Sequence, residues 1–454
     1  MKLSCPRVKL PSINTRYRYG IIDIHTQTIS CQPPAQGHKP HVQSQPPLAM
    51  MPTGPLLRSL LFTSIMSSPL LNPCLYMLTR VVNSTSPFLD PSQNPLVNYL
   101  LRTTIYNHFC AGENEHKVQQ TVHGIKTLGF KGVIMGYAKE TVVKEDENTA
   151  ALTSQEEASF RSVEEWKRGN LRTLGMIGTG DYLAVKFTGA GPIALNALAS
   201  GDAMPQCIYQ AMREICQTAA AQNSRLWIDA EQQVFQAAID DWTIELMREF
   251  NRGASPVVFN TIQAYLKDSA ANVQRHLLMS KQEGWKLGIK LVRGAYIAHD
   301  RRDCIHDTKP ETDANYNCIV ENLLQRKYPL PANQKATKFP DIRLFVASHN
   351  SETVRKAYTL HRQLIISGVP TIPVEFGQLQ GMADEIGCGL VQQNRIDSRD
   401  DAPGVFKYLA WGTTEECLHY LLRRAVENKG AVQRTRDMAV ALRRELWRRL
   451  SFSI

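Results

Sequence analysis

Acidic residues are almost missing from the first hundred positions. Residues 1–100 hold eight Lys or Arg, with only Asp23 and Asp90 against them, so +6 of the net charge of +10 sits there. The other 354 residues carry only +4, which excludes a basic platform for nucleic acid in the body of the chain. No Cys-x-x-Cys occurs. The ten cysteines (Cys5, Cys31, Cys74, Cys110, Cys207, Cys216, Cys304, Cys318, Cys388 and Cys417) are scattered. That argues against a disulfide framework or a zinc site and for reduced thiols in an intracellular compartment. No His–Cys cluster offers a metal set, and neither a Gly-x-Ser-x-Gly elbow nor a Walker loop is present. A spanning helix needs about 20 mostly apolar residues. The apolar stretch 56–82 is broken by Arg58, Pro69, Asn72 and Pro73, and reads as short packing or interfacial helices.

What is present is a chain of 454 residues, 43% hydrophobic, ample for a large barrel plus an extension. Residues 1–50, with Arg7, Arg16 and Arg18 before the first acid and a run rich in Pro, Gln, Ser and His, resemble an organellar transit segment. Met50 and Met51 offer alternative starts, and residues 3–15 lack the apolar core of a secretory signal. Residues 51–120 read as a helical N-terminal region, 121–435 as the main domain and 436–454 as a basic C-terminal helix or tail.

From about residue 120, short β-rich runs alternate with helical stretches. The strand candidates are 132–136, 182–187, 226–229, 257–262, 287–292, 343–348, 371–376 and 405–409. They are nearly continuous in apolar residues, as strands buried on both faces should be. The clearest helix is 232–251, with Phe235, Ile239, Trp242, Leu246 and Phe250 on one face and Asp240, Asp241, Glu245 and Glu249 on the other. Eight strand–helix units predict an α/β fold, a closed (β/α)8 barrel. The acid-rich segment 140–168 reads as an exposed insertion after the first strand. Gly189-Ala-Gly191-Pro-Ile-Ala194 matches a dinucleotide fingerprint in form, but Pro192 sits inside it and no acid follows at the expected spacing, so it reads as a barrel loop.

Chemistry in such a barrel gathers at the C-terminal ends of the strands. Those ends carry Lys186, Asp229 and Glu231, Gln263 and Tyr265, Lys290 and Tyr296, His349 and Asn350, Gln378, and Tyr408. Each alone could be structural; seven polar ends together favour a ligand site. Near the C-terminus, Tyr420-Leu-Leu-Arg423-Arg424-Ala-Val-Glu427-Asn428 sets two arginines in an apolar helical segment. Thr413 and Glu416 can form its capping box, Gly430 can end it, and Arg423 can pair with Glu427. An arginine-rich surface helix would show the same pattern. With Lys186 and Lys290, however, the arginines imply a ligand with at least one anionic group, which a guanidinium fork suits.

Four ordered segments carry a resemblance: Leu291-Val-Arg-Gly-Ala-Tyr296, Ala347-Ser-His-Asn350, Phe376-Gly-Gln-Leu-Gln-Gly-Met-Ala-Asp384 and Tyr420 to Asn428. With weaker matches at 109–113, 131–137 and 228–231, the chain resembles the proline dehydrogenase family, in its eukaryotic, fungal-like form, from about residue 95 to 435. The resemblance implies FAD as cofactor and oxidation of L-proline to Δ1-pyrroline-5-carboxylate. It implies that Arg423, Arg424 and Lys186 grip the carboxylate and that Tyr408 and Leu379 wall the ring. Asp229 and Tyr296 would support the pocket, and Gln263, Lys290, Val292, Gly294, His349 and Glu427 would contact FAD. It further implies that the last barrel helix lies across the mouth, that electrons pass to a membrane quinone, and that the protein is mitochondrial and associated with the inner membrane. Lys290 stands where bacterial members carry Arg, Ile297 replaces an aromatic, and Gln380 and Trp411 depart from the commonest pattern. Hydroxyproline oxidation on the same scaffold, a Schiff-base lyase or aldolase using Lys186 or Lys290, and a ligand-binding barrel without turnover are the competing readings.

Overall fold

The structure, a computed structural model, describes residues 45–84, 86–138, 152–327, 339–397, 401–429 and 432–451. The transit-like segment up to residue 44 and Gly430 therefore lie outside the described residues. Four helical pieces precede the barrel: α1 (Thr53–Met66), α2 (Leu71–Val82), α3 (Pro95–Leu101) and, after a π-helical turn, α4 (Asn107–Phe109). Asn94 caps α3, its side chain accepting from Leu96 N and Val97 N, with Pro95 at the first helical position. Helix α5 (Glu115–Thr127) then leads into β1 (Gly132–Tyr137).

The units that follow are α6 (Leu152–Met176) and β2 (Tyr182–Val185), then α7 (Pro192–Ser200), α8 (Gln206–Ala221) and β3 (Arg225–Ile228). Next come α9 (Gln233–Phe250), β4 (Val258–Gln263), α10 (Ser269–Glu283) and β5 (Leu287–Val292). The last are α11 (Lys309–Leu324), β6 (Ile342–Ala347), α12 (Ser351–Ile366), β7 (Val374–Leu379), α13 (Asp384–Asp397) and β8 (Gly404–Trp411). Helices α14 (Leu418–Lys429) and α15 (Val432–Ser451) follow. The strands pair in sequence order, all parallel, and β8 closes on β1 with Gly132 opposite Phe406 and Tyr137 opposite Trp411. The expected (β/α)8 barrel is therefore the fold.

Three local expectations change. The seventh strand begins at Val374 instead of Thr371 and runs to Leu379; Pro373 has no N–H for a ladder and contributes only its carbonyl, which accepts from Leu344 N. The acid-rich stretch is not an insertion beside the crossover. From Leu152 it is the crossover helix α6 itself, burying Val163 and Leu174, while residues 139–151 lie outside the described residues. Asp240 does not face water: it is buried behind β4, accepting from Gln236 (2.9 Å), Asn260 (2.8 Å) and Asn272 (2.7 Å). Among the described residues, no helix is long and apolar enough to cross a membrane.

A buried ion pair fastens the N-terminal helices to the barrel. Lys407 of β8 donates to Asp384, the first residue of α13, at 2.6 Å, and Ser59 of α1 donates to the same carboxylate at 3.2 Å. Burial opposes ionisation of Asp384, but Lys407 outweighs it, with help from His108 and Ser59, and holds the carboxyl below its usual range. Removing one partner of such a pair leaves an uncompensated buried charge, at a cost of about 3–5 kcal/mol. Lys407→Met should therefore lower stability in chemical denaturation by that order, and adding Asp384→Leu should recover most of the loss. Additive losses would show that the pair is not coupled.

Candidate active site

The C-terminal ends of the strands open into a cavity of about 1030 Å³. Its floor is the top of the aromatic filling of the barrel: Trp227, Phe345 and Tyr408, with Ile134 and Thr261. Tyr408 lies parallel to Trp227, the rings 6.5 Å apart and 5° from coplanar. Gly136 makes room for Tyr408, since a Cβ there would stand 2.6 Å from the hydroxyl oxygen. Burial and the facing Asp229 carboxylate push the Tyr408 hydroxyl well above its usual range, against the pull of Arg424 and Arg423. It is a neutral hydrogen-bonding group at any working pH.

Lys290 and Asp229 form the charged part of the floor. The ammonium donates to Asp229 at 2.6 Å and stands 4.0 Å from the centre of the Trp227 ring. Burial lowers the Lys290 pKa, and Asp229 works against that. Gln263, at the end of β4, donates to the Glu231 carbonyl at 3.0 Å. Glu231 itself, named among the strand-end groups, turns away to hold Thr188, accepting from its backbone N at 3.1 Å and from its hydroxyl. This fixes the loop that carries Lys186; of the glycine-rich decoy, residues 189–191 lie in that loop, whereas residues 192–194, expected as loop, are the first turn of α7. Burial raises the Glu231 pKa despite Lys186 and Thr188.

One rim of the cavity is built by β5 and β6. Gly294, at φ +141, passes over the ring of Tyr265 so closely that a Cβ would meet it at 2.3 Å. Tyr265 is thus a support under the rim, with its hydroxyl on Asp300. Asn350 caps α12, accepting from Thr353 N at 3.0 Å. His349 accepts the Leu379 N–H on Nε2 at 3.0 Å. On the opposite rim the capping box forms as expected, though in the turn before α14: Thr413 N donates to Glu416 at 2.8 Å and Glu416 N to Thr413 Oγ1 at 3.2 Å. From that root α14 brings Arg423 and Arg424 to the cavity, Arg424 5.0 Å from the centre of the Tyr420 ring.

Twelve of the thirteen expected site residues thus line one cavity: Lys186, Asp229, Tyr296, Leu379, Tyr408, Arg423, Arg424, Gln263, Lys290, Val292, Gly294 and His349. The side chain of Glu427, and with it the pairing to Arg423, lies outside the described residues. Arg293 lines the cavity too, clamped by Asp313 (2.6 Å), Ser348 (2.8 Å) and Thr353 (2.9 Å). Its place inside Leu291–Tyr296 was the signal for it. Trp227 and Phe345 had none, because an aromatic inside a barrel strand looks like core. Trp411, by contrast, faces the helix layer, donating to Thr173 at 2.8 Å and stacking on Tyr137 at 4.7 Å.

A family model described as proline dehydrogenase matches residues 118–437. The chain is 28% identical over 404 residues to a probable mitochondrial proline dehydrogenase of Schizosaccharomyces pombe, covering 78% of this chain and 81% of the relative. To human proline dehydrogenase 1, mitochondrial, it is 38% identical over 251 residues, 54% of this chain and 39% of the relative. To a hydroxyproline dehydrogenase of Rattus norvegicus it is 28% identical over 413 residues, 77% and 83% of the two chains. Among solved structures, proline utilization A from Bdellovibrio bacteriovorus matches with a TM-score of 0.60 at 17% identity, over 81% of this chain and 38% of that one, a likeness in fold. The chain spans about two fifths of the length of the solved structures it matches. It belongs to the proline dehydrogenase family. It is therefore an enzyme of the oxidoreductase class built on a barrel.

The fit of Tyr408 against Gly136 gives a test of the floor. Gly136→Ala should cost about 1–3 kcal/mol by overpacking. Because the closest approach is to the hydroxyl oxygen and the ring carbon behind it is at 3.3 Å, Tyr408→Phe added to Gly136→Ala should restore a good part of that loss. Thermal or chemical unfolding of the two single variants and the double variant reads the coupling; strictly additive effects would place the Tyr408 ring elsewhere.

Proposed function

We propose that this protein oxidises L-proline to Δ1-pyrroline-5-carboxylate with FAD as the electron acceptor in the cavity. The observation that carries this reading is the convergence of Arg423, Arg424 and Lys186 on one cavity whose floor is Tyr408 and the Lys290–Asp229 pair. Three cations suit a small carboxylate. Their field also disfavours a second positive charge beside them, so the bound substrate loses its extra amine proton more readily than in water. Tyr408 and Leu379 give the ring an apolar wall, which limits its orientations.

The cavity suits FAD on its own chemistry. Its lining runs from the floor to the β5–β6 rim, where Gly294 leaves backbone exposed and Arg293, Ser348, His349 and Asn350 supply donors. Trp227 Nε1, a buried polar atom on its lining, has no hydrogen-bond partner among the described residues and could meet a polar ring system. Gln263, Lys290, Val292, Gly294, His349 and Glu427 would hold the cofactor, with Tyr296 and Asp229 shaping the pocket beside it. When bound, FAD supplies the acceptor at N5 for the hydride leaving the ring carbon next to nitrogen. Lys290 brings positive charge to that region as an ammonium held by Asp229, and the carboxylate grip sets which face of the ring is presented.

A quinone is the proposed final acceptor, with a mitochondrial location on the inner membrane or its matrix side. The mitochondrial names of the relatives support the compartment. Exposed Tyr76 and Met77 on α2, Phe88 in the turn that follows, and Leu96, Tyr99 and Leu100 on α3 support contact with a lipid surface. The rat hydroxyproline dehydrogenase relative keeps hydroxyproline in view as substrate.

The deciding measurement is the visible spectrum of the purified protein, before and after L-proline without oxygen. Flavin bands that bleach with proline are expected; a response to hydroxyproline alone would move the activity to that substrate. A colourless protein that cannot be reconstituted with FAD, but is trapped by borohydride with a carbonyl substrate, would favour the Schiff-base barrel. Arg423→Met should raise the proline KM about ten- to a hundredfold, the equivalent of one charge-assisted hydrogen bond of about 1.5–3 kcal/mol, with flavin content kept. An unchanged KM would remove Arg423 from the grip. Lys290→Ala should slow flavin reduction more than it weakens proline binding, and the reverse would place the lysine in the substrate pocket.

A further inference from the structure

Residues 106–112 run alongside β8 as a strap that joins both rims of the cavity. Ala111 N donates to Ala410 O at 2.8 Å, Gly412 N to Gly112 O at 3.1 Å, and the Tyr106 hydroxyl to Gly412 O at 2.6 Å. These bonds hold the root of α14. The strap reaches the other rim through His108. Its ring is buried, 4% exposed, between Phe62 at 4.9 Å and Phe109 at 4.6 Å. Its Nε2 lies 3.0 Å from the carbonyl oxygen of Gly381. A carbonyl only accepts, so Nε2 carries the proton and donates. Gly381 adopts φ +75, and a Cβ there would stand 2.5 Å from the same nitrogen, so ring and loop fit each other closely.

The loop so held follows directly on the wall residue Leu379, the last residue of β7. Three bonds fix it from three directions. Leu379 N donates to His349 Nε2 at 3.0 Å, Gln380 N donates to Tyr408 O at 2.9 Å, and Gly381 O accepts from His108. His108 is not among the cavity-lining residues, whereas Leu379 and Met382 are.

We propose that His108 is a positioning residue for the substrate pocket, holding the Leu379 wall through the Gly381 carbonyl. The inference rests on the proline-oxidising reading above. Losing the donor frees one side of the loop, so the wall loosens while the cationic grip on α14 stays. The effect should therefore fall on recognition of the ring and spare the carboxylate.

The test uses the flavin-loaded full chain with His108→Phe, which keeps a ring but loses the donor, and His108→Gln, whose amide can replace Nε2–H. His108→Asn, polar but too short to reach Gly381, serves if the Phe variant does not fold. Expected for Phe or Asn is a rise of about tenfold in the proline KM, with kcat within about twofold. Inhibition by acetate, a carboxylate without a ring, should be unchanged, and Gln should restore KM to within about threefold. An unchanged KM with only a lower Tm would make His108 a plain stability residue and overturn the proposal. So would a loss of acetate affinity in parallel, which would mean that the whole site had shifted. A wild-type protein that does not oxidise proline would instead defeat the underlying reading.

Discussion

The interior of the barrel is crowded, and that crowding sets the shape of everything above it. Tyr182, Trp227, Phe259, Phe345 and Phe406 fill the space inside eight strands. Three of these rings are admitted by a glycine, on the neighbouring strand for Phe259 and Phe345 and two residues along the same strand for Phe406. A Cβ at Gly288 would strike Phe259 at 2.6 Å, one at Gly377 would strike Phe345 at 2.6 Å, and one at Gly404 would strike Phe406 at 2.8 Å. Large and small residues thus alternate around the barrel so that side chains, and no channel, occupy it. The lower end is closed by charge: Glu375 accepts from Arg225 at 2.9 Å and Arg343 at 3.2 Å, and from the Tyr182 hydroxyl. The upper layer, Trp227 with Tyr408, is left as a flat apolar floor. A planar ligand over that floor would lie flat against it, and the polar strand ends around it would set how it is turned.

Charge at the mouth follows a similar division of labour. Lys290 is buried at the floor, yet it keeps Asp229 within 2.6 Å and a tryptophan face at 4.0 Å, two neighbours that favour its charged form against the cost of burial. The arginines differ. They sit on α14, where Arg423 is exposed and Arg424 half-buried, so their desolvation is completed only when a ligand arrives. On the proposed reading, the buried floor pair would tune the acceptor and the arginines at the cavity edge would capture the substrate carboxylate.

Much of this could be read from the residues, for a physical reason. Strands of a parallel barrel are buried on both faces, so their apolar runs stand out, and chemistry is confined to their ends. Lys186, Asp229, Gln263, Lys290 and Tyr408 could therefore be picked out by position. What could not be read depends on contacts far apart in the chain. Asp240 sits where helical periodicity assigns it to water, but its carboxylate is matched by amides from α9, β4 and α10. The acid-rich run in α6 looked like an insertion because its charges line an exposed face; Lys167, for example, bridges Glu164 at 3.0 Å and Glu214 at 2.9 Å. The strap over β8 pairs residues about 300 positions apart, and no local pattern foretells that.

That strap explains why a short N-terminal element belongs to the active-site architecture. An isolated helix of 12 residues such as α14 is marginal by itself. Its capping box fixes where it starts, but not how it lies against the barrel. The orientation comes from the root: Gly412, at φ +143, is held by Tyr106 on its carbonyl and by Gly112 on its N–H, and Thr414 donates to Asn98 at 3.0 Å. Helix α3 and the strap thereby set the angle at which Arg423 and Arg424 meet the cavity. His108, on the same strap, reaches the Leu379 loop across from them. The spacing between Arg423 and Arg424 on one side and Leu379 on the other, which on the proposed reading are the carboxylate grip and the ring wall, is thus bridged by a single segment of backbone.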